Sequence, residues 1–203
     1  MKSLLEYIEE KNIEAQINEG LIGNLLGKLG NFLAKKFGIS DNSSKELEAN
    51  LAKENDALNK EISKVSKGKL KDLGQWWQAY IKENKNAAGV KSPLIYSQAI
   101  LKNTNNVGMV VKKMVDSYQS AGILNNTIVC MFIKSTCMQY IATIESIVKD
   151  NSKKINSVNQ LSNFAKALQD VKISDNEDGE KFIKDAISEL EKKHKEFLSK
   201  YKK

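Results

Sequence analysis

Arginine is absent from the chain: all 32 basic residues among the 203 are lysine. Lysine offers phosphate a point charge but lacks the planar fork that reads guanine or clamps a carboxylate, which speaks against sequence-specific base readout. The joint excess of Lys, Asn and Ile without Arg is what an AT-rich coding sequence tends to give, a property of the genome and not of the function. Histidine is nearly absent too. The one His, His194, stands in a lysine-rich terminal segment far in sequence from either cysteine, so a Cys–His nucleophile pair has little to build on.

Cysteine is limited to Cys130 and Cys137, seven apart in what reads as one helix. That spacing separates them by about 10 Å along the axis, too far to bridge. They read as small buried core residues, consistent with synthesis in a reducing cytoplasm. No C-x-x-C, H-x-x-x-H or H-E-x-x-H spacing occurs, so no metal site is expected. The acidic turn SDNEDGEKFIKD superficially resembles a calcium loop. Setting Gly179 at the required glycine puts Ser174 first and Asp185, not Glu, twelfth, so it reads as a linker and helix cap. Neither phosphate-binding glycine motif is present. No cofactor and no catalytic residue is expected.

Long apolar runs are lacking as well, since TIVCMFI stops at Lys134. No charged-apolar-small signal opens the chain. Pro93 is the single proline, and strand-rich blocks of Val, Thr and Tyr are missing. With 41% hydrophobic and 28% charged residues, the composition predicts an all-α protein: an irregular bundle of about six to eight helices with an N-terminal amphipathic arm.

The expected organisation follows the polarity of the sequence. Residues 1–19 form an acidic leader, with Lys2 and Lys11 against Glu6, Glu9, Glu10, Glu14 and Glu19. Residues 20–38 invert that character, carrying Lys28, Lys35 and Lys36 and no acid. On a helical wheel Leu21, Ile22, Leu25, Leu26, Leu29, Phe32, Leu33 and Phe37 share one broad arc, while Gly20, Gly23, Gly27 and Gly30 share another. That helix has three readings: close helix packing through the glycines, an interfacial membrane helix binding through its Leu/Phe face, or an arm ordered on docking.

Residues 39–67 read as a hydrophilic linker and a charged helix, capped at Ser43 or Ser44 ahead of Glu46 and Glu48. Its narrow stripe is Leu47, Leu51, Leu58, Ile62 and Val65. Residues 68–203 make the core domain. Within it a helix carries Trp77 on its core face with Trp76 at the edge, and another starts at Pro93. The segment around 128–148 is the most apolar and should be the central helix. Trp76 and Trp77 as a nucleic-acid stacking platform is disfavoured against core packing, because no Arg accompanies them.

The net charge of +7 permits association with anionic lipid or nucleic acid, although acids are interspersed nearly throughout. The C-terminal turns are the most basic, with Lys192, Lys193, Lys195, Lys200, Lys202 and Lys203 as candidate non-specific phosphate contacts.

The opening MKSLLEYIEE resembles the short N-terminal leader of prohead-core and internal proteins of T-even-like and related large tailed phages. The family's maturation protease cuts after Leu or Ile, any residue, then Glu, ahead of a small residue, and Ile17-Asn18-Glu19 followed by Gly20 matches. The other Ile-x-Glu triplets, ending at Glu10, Glu83 and Glu189, are followed by Lys, Asn and Leu. The resemblance covers about the first 20 residues. It implies a protein targeted to the virion, assembled with other virion proteins and processed after Glu19; it implies nothing for the remaining chain. Three expectations follow: a non-enzymatic virion protein, a membrane-active or helix-docking effector of the infected cell, or an internal protein associating non-specifically with DNA.

Overall fold

In the computed structural model, residues 31–32, 34–151 and 155–201 are described. They form an all-α bundle without a strand among them: α1 (Asp41–Val65), α2 (Leu73–Glu83), a 3-10 turn (Lys85–Ala87), α3 (Pro93–Lys102), α4 (Val107–Ser120), α5 (Thr127–Asp150), α6 (Ile155–Gln169) and α7 (Glu177–Tyr201).

α5 is the axis of the bundle. α1, α3, α6 and α7 pack around it, α4 lies on α3 and α6, and α2 follows α1. Its buried residues include Ile128, Val129, Phe132, Ile133, Tyr140, Ile144 and Ile147, which occupy nearly all sides of the helix. A helix apolar all round must be surrounded. In length and mean hydropathy (1.3) α5 would suffice to cross a membrane, a property that the run ending at Lys134 concealed; 72% of that stretch is buried inside the bundle, as in the core helix of a globular domain. Met131 and Met138 lie on the one side of α5 that is only half-buried and face a shallow groove between α1 and α7.

The expected helix start at Pro93 is observed, and residues 103–106 separate α3 from α4. Both Trp76 and Trp77 are buried, and Trp76 stacks on Tyr80 at 4.8 Å, so Trp76 is not an edge residue. Cys130 and Cys137 are buried and unbridged.

Two expectations about α1 need correction. The segment 39–44 is not a hydrophilic linker: Ile39, Ser43 and Ser44 are buried. Ser40, not Ser43 or Ser44, is the N-cap, its side chain accepting from the Ser43 backbone N–H. Leu47, Leu51, Leu58 and Ile62 join the same core as α5, whereas Val65 at the end of the stripe is exposed. Residues 41–62 therefore share the hydrophobic core of the segment that follows them.

At the start of α7 the acidic turn is organised by Asn176. Its Oδ1 accepts from the Gly179 backbone N–H at 2.9 Å and from the Thr127 hydroxyl, and its Nδ2 donates to the Asn125 carbonyl at 2.6 Å. One side chain thus caps α7 and fixes it to the start of α5. Among the described residues no group of three or more His, Cys, Asp or Glu could hold a metal ion.

Candidate docking site at the root of the arm

The arm reaches the bundle through residues 34–37, which are helical. Gly38 ends that helix in the left-handed region at φ 64°, and the Ile39 backbone N–H returns to the Ala34 carbonyl at 3.0 Å, a glycine stop. Two buried side chains, Phe37 and Ile39, then seat the root in the core.

Polar contacts close the junction. The Ser40 backbone N–H and the Ser43 hydroxyl both donate to the Asp150 carboxylate at the end of α5. Burial would raise the Asp150 pKa, but these donors from Ser40 and Ser43, with Lys149 nearby, outweigh it and hold the carboxyl below its ordinary value. Lys149 pairs with Glu46 at 2.7 Å, tying α1 to α5 a turn further on.

Lys36 donates to the Lys102 carbonyl at 2.7 Å, supplying a partner for a carbonyl left over at the end of α3. The Lys36 ammonium lies 5.0 Å from the centroid of the Phe37 ring and 5.8 Å from that of Phe32, and Lys102 lies 5.9 Å from the Phe32 centroid. These are cation–π distances. Burial lowers the pKa of both lysines. Phe32 itself is 45% exposed, so an aromatic edge framed by two ammonium groups faces outward here.

The structure separates residues that the wheel placed on one face. Phe32 is outward, but Phe37, assigned to the membrane or partner face, is 7% exposed and anchors the root on the bundle instead. Five residues apart, the two side chains point about 140° from each other, and the bundle takes only one edge of that wide arc. Leu21, Ile22, Leu25, Leu26, Leu29 and Leu33, the glycines Gly20, Gly23, Gly27 and Gly30, and the junction residues Ile17, Glu19 and Gly20 lie outside the described residues. The sequence presents Lys36 only as one of the lysines of the basic segment and gives Lys102 and Asp150 no role. Only their meeting, across 66 and 110 positions, gives them a role.

The basic C-terminal turns are less free than their composition suggests. Lys193 pairs with Glu196 at 2.8 Å and Lys192 approaches Glu189 at 3.8 Å, while Lys200 lies over the Tyr201 ring. Lys195 is exposed, and Lys202 and Lys203 lie outside the described residues. His194 is half-buried and meets Asn159 of α6 at 3.3 Å. The Cys130 thiol donates to the Leu124 carbonyl, and burial pushes its pKa up to about 12; burial raises that of Cys137 further. Neither thiol is prepared as a nucleophile.

Compared with protein-family models, with curated proteins and with solved structures, the chain matches none of them.

Proposed function

We propose that the chain is a non-enzymatic phage virion protein, internal cargo or a structural component, that enters the particle through its N-terminal segment and is processed between Glu19 and Gly20. The observation that carries this reading is the junction Ile17-Asn18-Glu19-Gly20 at the point where the sequence changes from acidic to basic, behind a leader similar to those of capsid-targeted proteins. Cutting there removes a piece with five glutamates and two lysines and leaves a cationic, amphipathic arm beginning at Gly20. Opposite charge and matching apolar faces would let the leader mask the arm until cleavage. The anchoring of the root by Phe37, Ile39 and the Asp150 contacts supports the reading, because an arm used for docking needs a fixed base.

Intact mass and N-terminal sequencing of the protein recovered from purified particles test the proposal. Gly20 at the amino terminus is the expected result. Met1 intact, with the protein confined to cell lysate, would remove both packaging and processing.

A second reading, a membrane-active or helix-docking effector, draws on Phe32 exposed between Lys36 and Lys102. It predicts binding of the uncleaved protein to anionic vesicles, lost on Phe32→Ser.

A further inference from the structure

A cleft of about 100 Å3 opens between α2 and the start of α3, with the 3-10 turn along its side. Leu73, Trp77, Ala87, Pro93 and Leu94 are its buried walls. Gln78 and Gly89 are exposed at its mouth, and no charged side chain lines it.

Ser92 is the unusual member of this lining. It is 3% exposed and stands at the N-cap of α3, yet its hydroxyl makes no capping bond and, although buried, has no hydrogen-bond partner. A hydroxyl in that position ordinarily accepts from the first turn of its own helix. The first turn of α3 also lacks an acidic side chain. Its positive end is therefore not neutralised by a carboxylate from its own turn, and beside it lies a cleft with apolar side chains for its buried walls and a more polar mouth.

We propose that this cleft binds a small amphipathic molecule: an acceptor oxygen, best a carboxylate, on an apolar body of about four carbons. The oxygen accepts from the Ser92 hydroxyl at the start of α3, and the body lies against Trp77, Leu73 and Leu94. The size follows from the volume, since an apolar cavity of about 150 Å3 takes up benzene and this cleft is smaller. The sign follows from the helix end and from the absence of any acid in the lining, which together disfavour a cation. This site is independent of the virion reading and of the arm.

The test is a titration of the full chain, followed by amide and indole NMR shifts, with sodium butyrate, n-butylamine and sodium chloride as separate probes. Butyrate is expected to produce saturable millimolar shifts at the Trp77 indole and at the Ser92 and Leu94 amides, with n-butylamine at least tenfold weaker. Ser92→Ala should weaken butyrate binding about tenfold, the loss expected for one hydrogen bond to a charged group. Gln78→Trp, at an exposed position of the mouth, should block binding without disturbing the fold. Equal shifts from butyrate and n-butylamine, or unaltered butyrate binding in Ser92→Ala, would overturn the assignment of the oxygen. Shifts at these groups no larger than with sodium chloride would overturn the site, leaving a cleft filled by water alone.

Discussion

Gly179 is the position where one added methyl group should have a cost that depends on a single neighbour. A Cβ built there would stand 2.6 Å from Asn176 Nδ2, 2.9 Å from Asn176 Cγ and 3.0 Å from Cys130 Sγ. The Asn176 amide cannot swing aside freely, because it caps the Gly179 N–H and bridges Thr127 and Asn125. Displacing it forfeits a cap worth about 1 kcal/mol and two further hydrogen bonds of about 1 kcal/mol each. Against this, alanine in place of glycine within a helix gains up to about 1 kcal/mol. Gly179→Ala is therefore expected to destabilise the protein by about 2–3 kcal/mol. In an Asn176→Ala background the cap is already lost and the amide is gone. There the same substitution should be neutral, or stabilising by up to about 1 kcal/mol, with Cys130 Sγ still in contact at 3.0 Å. Urea unfolding of the four proteins, followed by far-ultraviolet circular dichroism, reads this as a coupling of about 3 kcal/mol, the three displaced interactions, at unchanged m-value. An equal cost of Gly179→Ala in both backgrounds would refute the reasoning, because Asn176 would then not be the group displaced.

Three further outcomes are expected. Both amide atoms of the buried Gln98 lack partners, so Gln98→Met should stabilise the protein by about 1–2 kcal/mol in the same assay; a loss of more than 1 kcal/mol would show that the amide is satisfied. Cys130 and Cys137 should resist a thiol reagent at pH 8 in the native protein and react fully in denaturant, as burial keeps both protonated; rapid labelling of the native state would contradict their packing. Burial first, then Lys166 and Lys195, lower the His194 pKa from its ordinary value near 6.5. The folded state therefore holds this proton less tightly than the unfolded state. The effect is absent above that ordinary value, grows as pH falls below it and levels off under the lowered folded value. Thermal midpoints should consequently fall more between pH 7 and 5 for the native chain than for His194→Gln; parallel profiles would exclude this contribution.

Much of the fold was legible locally. A run of Ile, Val, Phe and Met at helical intervals identifies α5 as the core helix, Pro93 sets the start of α3, and the two cysteines read correctly as buried. These features depend on periodicity and on backbone constraints carried by the residues themselves. The capping of α1 was not legible in the same way. Ser40, Ser43 and Ser44 are comparable as caps within their own few residues, and the carboxylate that fixes the junction is Asp150, 110 positions away from Ser40. The docking face shows the same limit, since the wheel cannot state which edge of the Phe32–Phe37 arc the bundle will cover.

The sequence by itself determined that the chain is helical, that its bases are all lysine, and that an acidic segment precedes a basic one across Glu19 and Gly20, because composition, charge and period are local properties. Only the tertiary structure decided that Phe37 is an anchor and Phe32 an exposed edge between two lysines, that Lys36 closes the end of α3, and that Ser92 keeps an unpartnered hydroxyl beside a cleft with apolar walls. Each of those outcomes depends on which helix lies opposite. That is set by how several apolar stripes pack at once, and no single stripe contains the answer.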